Sequence, residues 1–272
     1  MAAIDFSPRV CMRLLPALTE LVAQASAAIL RLRREALCLE LKQDRSPVTA
    51  ADKASEAVIL AGLRQLLSGI PVVSEECALP TDVGSCFVLV DPLDGTREFL
   101  AGRDEYTVNL ALVQDGRPLA GLIAAPAEGL IWRGVVGEGA ERLPVDVSNG
   151  SPILDAAIAI RGRAMPEHPV ATVSRSHLDP ASEAFLSRWQ NVASISCGSA
   201  LKFCRLAEGA ADIYPRLAPT MEWDIAAGDA LLAAAGGILV SIEGNPITYG
   251  RPGFLVPGFI AWGDAAAPAR FR

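Results

Sequence analysis

The segment Asp91-Pro92-Leu93-Asp94-Gly95-Thr96 carries the strongest chemical signal in this sequence of 272 residues. It directly follows an apolar run, residues 87–90, that predicts a buried strand. Because Pro92 has no N–H to give to a sheet ladder, we expect the strand to end there, with both aspartates at its carboxyl end. Two carboxylates three residues apart, with the Leu93 carbonyl between them, are the oxygen ligands that hard divalent cations prefer.

The backbone N–H groups of Gly95 and Thr96 come next, where the chain can open a helix. N–H groups at a helix start face outward and can bind an anion such as phosphate. The alternative is a plain surface turn, since Asp, Pro and Gly are ordinary turn formers. We favour the chemical interpretation, because the whole six-residue string after a buried strand is much rarer by chance than Asp-Pro or Asp-Gly alone.

Two further carboxylates could join this pair. Glu75 closes another short apolar run, residues 70–73, and could supply a third carboxylate from a neighbouring strand. Its alternative is a solvated surface glutamate. Asp224 opens an Ala-rich helix, where the helix dipole favours a carboxylate, so capping is the alternative to metal binding there. A metal role for Asp224 is predicted only in company with Asp91 and Asp94.

Asp52 allows two interpretations that the sequence does not separate. Thr49, three residues earlier, forms a capping-box pattern with it at the start of a predicted helix. Alternatively, Asp52 accepts a hydrogen bond from a hydroxyl such as that of Thr96, which then orients an attacking water. Both can hold at once.

Lys202 lies near the start of a predicted helix, with Arg216 following in Tyr214-Pro215-Arg216. A cation at that end of a helix is opposed by the dipole, and an anionic ligand would remove the conflict. Phosphate binding is therefore one interpretation of Lys202. A solvent-facing lysine is the other.

Composition limits the class of protein. Hydrophobic residues make up 51% and charged residues 20%, which supplies a core and argues against disorder. The net charge of −7 argues against nucleic-acid binding through bulk positive charge. Six scattered cysteines and two histidines form no zinc pattern and predict reduced thiols. No signal-peptide pattern opens the chain, and Asp229 interrupts its longest apolar stretch. We expect a cytoplasmic protein without a transmembrane segment, and leave open a homodimer and peripheral contact with an inner membrane.

The predicted elements give an α/β protein, with an α+β first half and an α/β second half. The expected division is between residues 1–145, which carry most metal ligands, and residues 146–272, which carry Asp224 and the specificity groups. Helices are predicted over residues 11–41, 50–67, 180–189, 199–208 and 223–235, and strands over residues 70–74, 87–90, 107–114, 120–125, 158–160 and 171–174. Asp115-Gly116 predicts a hairpin turn between two of these strands.

Four blocks, residues 46–52, 74–76, 91–96 and 223–228, together resemble the Mg²⁺-dependent, lithium-sensitive phosphatase superfamily that includes inositol monophosphatases. The resemblance implies a five-layered αβαβα sandwich and two or three Mg²⁺ ions. The Mg²⁺ ligands that it implies are Glu75, Asp91, the Leu93 carbonyl, Asp94 and Asp224. It also implies that Thr96 and Asp52, with Glu75, orient the nucleophilic water. The substrate phosphate would lie against Leu93, Asp94, Asp224 and the amides of Gly95 and Thr96.

Within the superfamily, the chain is most similar to bacterial 3′(2′),5′-bisphosphate nucleotidases. The similar stretches are residues 91–111, 174–179, 198–203 and 214–216. This resemblance implies removal of the 3′-phosphate from adenosine 3′,5′-bisphosphate, or from its sulfated form, by direct attack of water. The groups it implies for the second phosphate or the nucleoside are His177, Ser199, Lys202 and Arg216. Val256 stands where relatives often carry Asn.

Three alternatives bear on this function. An inositol or sugar phosphate could be the substrate on the same fold, and the chain could be a phosphate-binding regulator without activity. Haloacid-dehalogenase chemistry, with an aspartyl-phosphate, is rejected because that family spaces its two aspartates at i and i+2, whereas Asp91 and Asp94 are at i and i+3.

Overall fold

The computed structural model describes residues 5–38, 47–77, 80, 82–146, 148–175, 179–189 and 191–270. Within these, six α-helices alternate irregularly with fifteen strands. The helices are α1 (Pro8–Cys38), α2 (Pro47–Leu66), α3 (Thr96–Leu100), α4 (Pro180–Leu186), α5 (Leu201–Ala207) and α6 (Glu222–Ala234). The strands are β1 (Val72–Ser74), β2 (Cys86–Asp94), β3 (Thr107–Gln114), β4 (Arg117–Ala125), β5 (Leu130–Val135), β6 (Gly139–Asp146), β7 (Ser151–Pro152), β8 (Ile158–Ile160), β9 (Val170–Ser174), β10 (Ala193–Cys197), β11 (Ile213–Arg216), β12 (Thr220–Met221), β13 (Ile238–Ser241), β14 (Leu255–Val256) and β15 (Phe259–Trp262).

A large sheet contains β1 to β8, paired in chain order except that β7 and β8 both pair with β6. Strand β1 runs parallel to β2, and the other pairs are antiparallel. Alternate residues of β2 face opposite sides, as a strand requires. Val88 and Val90 pack in a cluster with residues of α1 and α2, whereas Phe87 and Leu89 pack in a cluster with residues of α5 and α6.

A second sheet has the order β10-β9-β11-β15-β13, with β10 and β11 parallel to β9. One face of it packs with α5 and α6 through Tyr214 and Phe259. On the other face, Ile213 and Trp262 pack with Phe185 of α4. The layers are therefore helices α1 and α2, the large sheet, helices α5 and α6, the second sheet, and helix α4. The predicted αβαβα arrangement is confirmed.

Strand β2 continues past Pro92 to Asp94, so the prediction that it ends at Pro92 is wrong. A register shift in the β2–β3 pairing lies between Asp91 and Asp94. Such an irregularity leaves positions unpaired, which is where a strand tolerates a residue without an N–H. Asp94 returns to the ladder opposite Thr107. The two aspartates therefore belong to the strand itself, not to a loop after it.

The predicted capping box of Thr49 and Asp52 is also wrong, because helix α2 already begins at Pro47. Thr49 therefore lies within the helix. The predicted turn at residues 42–46 and the C-terminal end of the first helix lie outside the described residues.

Among the described residues, helix α1 is the one helix with the length and composition of a candidate membrane span. Its stretch Pro8–Arg34 is long and apolar enough to cross a membrane, with a mean hydropathy of 1.2, and 61% of the window is buried inside the fold. Leu18, Val22 and Ile29 supply that burial against the large sheet. Packing in the core thus explains the hydropathy. Cys11, Cys77, Cys86, Cys197 and Cys204 are all free thiols, as predicted.

Candidate active site

Four carboxylates from three elements meet where β2 ends. Asp91 and Asp94 lie on β2, and Glu75 follows β1, the parallel neighbour of β2. The Glu75 N–H donates to the Val90 carbonyl at 3.3 Å, which holds Glu75 beside Asp91. Asp224 lies in the first turn of α6. This helix packs against the face of the large sheet that carries Phe87 and Leu89. The structure therefore brings the four carboxylates near one another, whereas their role as metal ligands stays a prediction.

The negative charges of these four carboxylates repel one another. Burial raises the pKa of Asp91 well above its usual range, and the carboxylates of Asp94, Glu75 and Asp224 raise it further. Partial burial and the neighbouring Asp224 and Asp94 raise the pKa of Glu75 to about 7. Burial and Asp94 also raise the pKa of Asp224, although the hydroxyl of Thr220 opposes that shift. The cluster therefore concentrates negative charge that is unfavourable without a counter-ion.

The donor set fits a hard divalent cation, because every candidate ligand is an oxygen. Both aspartates of β2 also accept a hydrogen bond from a nearby donor. The Leu93 N–H donates to Asp91 Oδ1 at 3.1 Å, and Ser199 Oγ donates to Asp94 Oδ2 at 2.7 Å. Within the described ranges, no group of three or more His, Cys, Asp or Glu side chains is already positioned to hold a metal ion. The residues thus supply suitable ligands and charge, and a cation would remove the repulsion among them.

Asp224 has the capping role that was its alternative. Its Oδ2 accepts hydrogen bonds from the Thr220 hydroxyl and, at 3.2 Å, from the Met221 N–H. These bonds fix the start of α6 and aim the carboxylate at the cluster. Val256, which stands in the place of the expected Asn, pairs with Thr220 across β14 and β12. It is buried at 4% exposure and lines a different pocket from the cleft that holds Asp94 and Asp224.

Asp52 reaches the cluster from α2. Ser55, one turn later, donates from Oγ to the Pro92 carbonyl at 2.7 Å and ties α2 to the bulged part of β2. Burial, with Glu76, Glu75 and Glu56 nearby, raises the pKa of Asp52 to about 7. No hydrogen bond joins Asp52 to Thr96 in the part of the chain that the structure describes. Their joint role in orienting water stays a prediction.

Gly95 forms the corner between β2 and the short helix α3, with φ of 91°. Backbone in this left-handed region favours glycine. A Cβ there would also lie 3.0 Å from the Glu105 carbonyl oxygen and 3.2 Å from Ser199 Cβ. Glycine therefore permits Thr96 to open α3 directly beside the acidic cluster.

A cleft of about 450 Å³ opens beside the cluster, with charges of both signs on its walls. Asp94 and Asp224 lie on it together with three cationic side chains, Arg175, Lys202 and Arg216. Arg216 is close enough for Asp224 and Asp94 to help raise its pKa against the effect of burial. A ligand in this cleft would touch the acidic cluster at one point and cationic groups at others.

Lys202 is not the solvent-facing lysine of the alternative interpretation. It is only 4% exposed, and its Nζ donates to the carbonyls of Ser199 at 2.5 Å and Cys197 at 3.3 Å. The ammonium also lies 5.1 Å from the centre of the Tyr214 ring, a cation–π contact. An ammonium has three donors, so one is left for a ligand in the cleft.

Ser199 connects the acidic side chains of the cleft with the cationic ones. Its backbone has φ of 53°, which is uncommon and costly for a residue other than glycine. In this conformation its hydroxyl bonds to both Asp94 Oδ2 and Thr107 Oγ1, while its carbonyl accepts the Lys202 ammonium. The surrounding contacts hold the strained residue in place. Ser199, predicted to contact substrate, therefore also positions Asp94 and Lys202.

Two residues of the site, Thr107 and Arg175, were not singled out in the sequence. Thr107 contacts Ser199, and Arg175 lines the cleft while it pairs through Nε with Glu105 Oε2 at 2.5 Å. Arg175 lies within residues 174–179, one of the stretches similar to bisphosphate nucleotidases, so the sequence could have identified it. The signal for Thr107 was the alternation Thr107-Val108-Asn109 in an otherwise apolar strand. His177, predicted to hold substrate, lies outside the described residues.

Comparison with known proteins places the chain in a family. Residues 12–269 match the inositol monophosphatase family. The chain belongs to that family. Its members are metal-dependent phosphatases, in agreement with the oxygen-only cluster at the end of β2.

Relatives within the inositol monophosphatase family are similar over most of their length. The 3′(2′),5′-bisphosphate nucleotidase CysQ of Salmonella typhimurium is 39% identical over 254 residues, which cover 88% of this chain and 96% of that protein. The same enzyme from Escherichia coli strain K12 is 40% identical over 230 residues, 80% of this chain and 86% of that protein. The crystal structure of CysQ from Bacteroides thetaiotaomicron aligns with a TM-score of 0.82 and 34% identity, covering 94% of this chain and 98% of that chain. An inositol monophosphatase from Zymomonas mobilis aligns with a TM-score of 0.70 and 27% identity, over 96% of this chain and 95% of that one.

Proposed function

We propose that the chain is a Mg²⁺-dependent 3′(2′),5′-bisphosphate nucleotidase. In the reaction, water attacks the 3′-phosphorus of adenosine 3′,5′-bisphosphate, the bond from phosphorus to the 3′-oxygen breaks, and AMP and inorganic phosphate result. The observation that carries this proposal is the cleft that holds Asp94 and Asp224 together with Lys202, Arg216 and Arg175. A monophosphate needs only the acidic, cation-binding part. A bisphosphate also needs cationic side chains at a distance from it.

The side chains that would hold two or three Mg²⁺ ions are those of Glu75, Asp91, Asp94 and Asp224, with the Leu93 carbonyl between the two aspartates. Bound divalent cations would activate a water and stabilise negative charge on the leaving oxygen. The protein's own contribution is to keep these oxygens close together against their repulsion. It does so with the β2–β3 pairing, the Glu75–Val90 hydrogen bond and the capping bonds of Asp224.

The water is oriented by Thr96 and Asp52. Asp52 is only 5% exposed, and the hydrogen bond from Ser55, one turn later, ties its helix to Pro92. Its carboxylate can accept a hydrogen bond from Thr96 Oγ1, which leaves the lone pairs of that hydroxyl free to hold the water. Water attacks phosphorus directly in this scheme, so no phosphorylated side chain is formed. The amides of Gly95 and Thr96 lie at the start of α3 and would face the phosphate that is released.

The second phosphate is expected at the cationic side of the cleft. Lys202 has one donor left after its two carbonyl contacts, and Arg216 lines the same cleft near Asp224 and Asp94. The curated relatives at 39% and 40% identity are bisphosphate nucleotidases, which supports the same choice of substrate. The inositol monophosphatases among the similar structures make an inositol phosphate the second candidate.

The experiment that tests the proposal compares phosphate release from adenosine 3′,5′-bisphosphate and inositol 1-phosphate with Mg²⁺, each with and without Li⁺. We expect strong preference for the nucleotide and inhibition by Li⁺. Preference for the inositol ester would retain the metal-dependent chemistry but refute the second-phosphate assignment. Nucleotide binding without phosphate release from either compound would indicate a phosphate-binding regulator instead.

A further inference from the structure

Asn109 is the most unusual polar residue near the acidic cluster. It lies on β3, is 0% exposed, and neither Nδ2 nor Oδ1 has a hydrogen-bond partner. Buried amides are nearly always paired, because an unpaired one loses its hydrogen bonds to water without replacement. An exception needs an explanation, and unpaired groups of this kind occur at functional sites.

The strand pairing places Asn109 opposite Asp91. These two residues are direct partners in the β2–β3 ladder, and theirs is the last pair before the register shift. Residues directly opposite in an antiparallel pair point to the same face, with Cβ atoms about 4.5–5.5 Å apart. The unpaired amide is therefore next to the most deeply buried carboxylate of the cluster, one oxygen of which already accepts the Leu93 N–H.

The neighbouring position on the same face shows what such a residue can do. Thr107, two residues before Asn109, pairs with Asp94, and its hydroxyl contacts Ser199, which in turn donates to Asp94. Strand β3 thus supplies one polar residue opposite each aspartate of β2. The polar group opposite Asp94 is connected, whereas the one opposite Asp91 is not.

We propose that Asn109 is a positioning residue for Asp91, whose carboxylate accepts a hydrogen bond from Asn109 Nδ2 when it holds a divalent cation. The hydrogen bond fixes which oxygen faces the cation and satisfies the donor that is otherwise unpaired. Ligating carboxylates are commonly oriented by hydrogen bonds of this kind. This inference rests on the metal-ligand role of Asp91 in the proposed function, but not on the identity of the substrate.

The test uses Asn109→Leu, which has nearly the same shape without polar atoms, in the full-length protein. Titration calorimetry with MgCl₂ measures the affinity for Mg²⁺, and thermal unfolding is followed in EDTA and in saturating Mg²⁺. We expect Mg²⁺ affinity to fall about 10- to 100-fold, as for other residues that orient metal ligands. In EDTA, the unfolding temperature should equal or exceed that of the parent, because the variant removes two unpaired buried polar atoms.

The matched control is Val108→Ala, at the adjacent position of β3 but on the opposite face, in the cluster with α1 and α2. It should lower the unfolding temperature equally in EDTA and Mg²⁺ and leave Mg²⁺ affinity unchanged. If N109L behaves like this control, Asn109 is only structural and the proposal is refuted. If N109L does not fold, Asn109→Ala decides by its Mg²⁺ affinity: weaker binding supports the proposal, and parental binding refutes it. No substrate is used, so a wrong substrate assignment cannot be mistaken for either result.

Discussion

Asp94 connects more parts of the site than any of the other carboxylates discussed. It ends β2, pairs with Thr107, accepts the Ser199 hydroxyl, and lines the cleft. Its charge also contributes to the raised pKa values of Asp91, Glu75 and Asp224. Removing that one charge therefore changes the whole cluster, while the side-chain shape can be kept.

Asp94→Asn should abolish phosphate release, because an amide is a poor ligand for Mg²⁺ and gives no charge to hold it. The variant should nevertheless fold, since Asn Oδ1 can still accept the hydrogen bond from Ser199. Activity is measured over a range of Mg²⁺ concentrations, with Asp155→Asn, an exposed carboxylate outside the cleft lining, as the control. Near-parental turnover of D94N would contradict the ligand assignment.

Lys202→Met should weaken binding of a bisphosphate far more than binding of a monophosphate, because only the former offers a second anion. Methionine keeps the length of the buried side chain and removes the charge. The measurement is KM and kcat for adenosine 3′,5′-bisphosphate and for a 3′-monophosphate, with the exposed Lys53→Met as control. Because Lys202 also holds the Ser199 carbonyl, a small loss of kcat on both substrates is expected. An equal rise in KM for the bisphosphate and the monophosphate would count against a role of Lys202 in binding the second phosphate.

At the scale of elements, the position of α6 relative to the large sheet decides where Asp224 points. Gly121 of β4 is the contact point: a Cβ built there would lie 2.1 Å from the Ala227 carbonyl oxygen of α6. The α6 backbone cannot move aside to make room for a Cβ, as a flexible side chain could. The absence of a side chain at Gly121 thus allows the helix to lie close to the sheet and deliver Asp224 to the end of β2.

Gly121→Ala should therefore displace α6 and reduce both stability and activity. Overpacking of this kind costs about 1–3 kcal/mol, and we expect the upper part of that range. Urea unfolding measures the loss, and the Mg²⁺ dependence of activity reports the displacement of Asp224. Gly137→Ala is the control, since nothing lies within 4 Å of a Cβ there and only its φ of 87° opposes the change. A G121A protein with the activity and stability of the parent would show that α6 does not depend on this contact.

The elements that were predicted from the sequence are those with a clear local pattern. Strand β3 was predicted to the residue, because its apolar run ends at Asp115-Gly116, and both turn residues adopt the positive φ of a tight hairpin. The extent of β2 was wrong because the bulge that accommodates Pro92 depends on pairing with β3, not on local sequence. Strands β5 and β6 had no prediction, since charged residues such as Arg133 and Glu141 interrupt their apolar pattern.

The same distinction applies to the site. Carboxylates at strand ends and helix starts could be found because chain position alone gives their location. The Ser199–Asp94 hydrogen bond and the Arg175–Glu105 ion pair join residues 105 and 70 positions apart. The burial of Lys202 likewise depends on the Tyr214 ring, which β11 of the second sheet supplies. Contacts of this kind follow from the packing of layers, which the local pattern does not contain.

At the scale of the whole molecule, the site is formed where the central helix layer meets both sheets. The large sheet contributes Asp91 and Asp94, α6 contributes Asp224, and the second sheet contributes Arg216 from β11. Strand β8, from beyond residue 146, pairs with β6 in the large sheet. The division of the chain at residue 145 stays a prediction. The two halves share one site, so assembly of all five layers and function are coupled.

That assembly should depend on pH through Asp229 of α6. Tyr249 donates from its hydroxyl to Asp229 Oδ2 at 2.9 Å, and burial raises the pKa of Asp229 from 3.8 to about 7, although this hydrogen bond and Arg117 oppose the shift. Between these two values the native protein binds a proton that the unfolded chain does not. The contribution is therefore fully present below pH 3.8, falls progressively as the pH rises above that value, and is gone once the pH has passed 7. From pH 6 to pH 8 this single group should lower the free energy of unfolding by roughly 1 kcal/mol.

Asp229→Asn removes the titration and keeps an oxygen that can accept the Tyr249 hydroxyl. Urea unfolding of parent and variant at pH 6 and pH 8 measures the difference. The loss of stability between the two pH values should be smaller in D229N by about 1 kcal/mol, since the neutral amide resembles the protonated acid. Tyr249→Phe is the control, because it removes the opposing hydrogen bond while leaving the carboxyl to titrate, so its stability should fall at least as steeply with pH as that of the parent. An identical pH dependence in D229N and the parent would mean that Asp229 is already ionised in the fold, and that the contact between α6 and Tyr249 holds a charge.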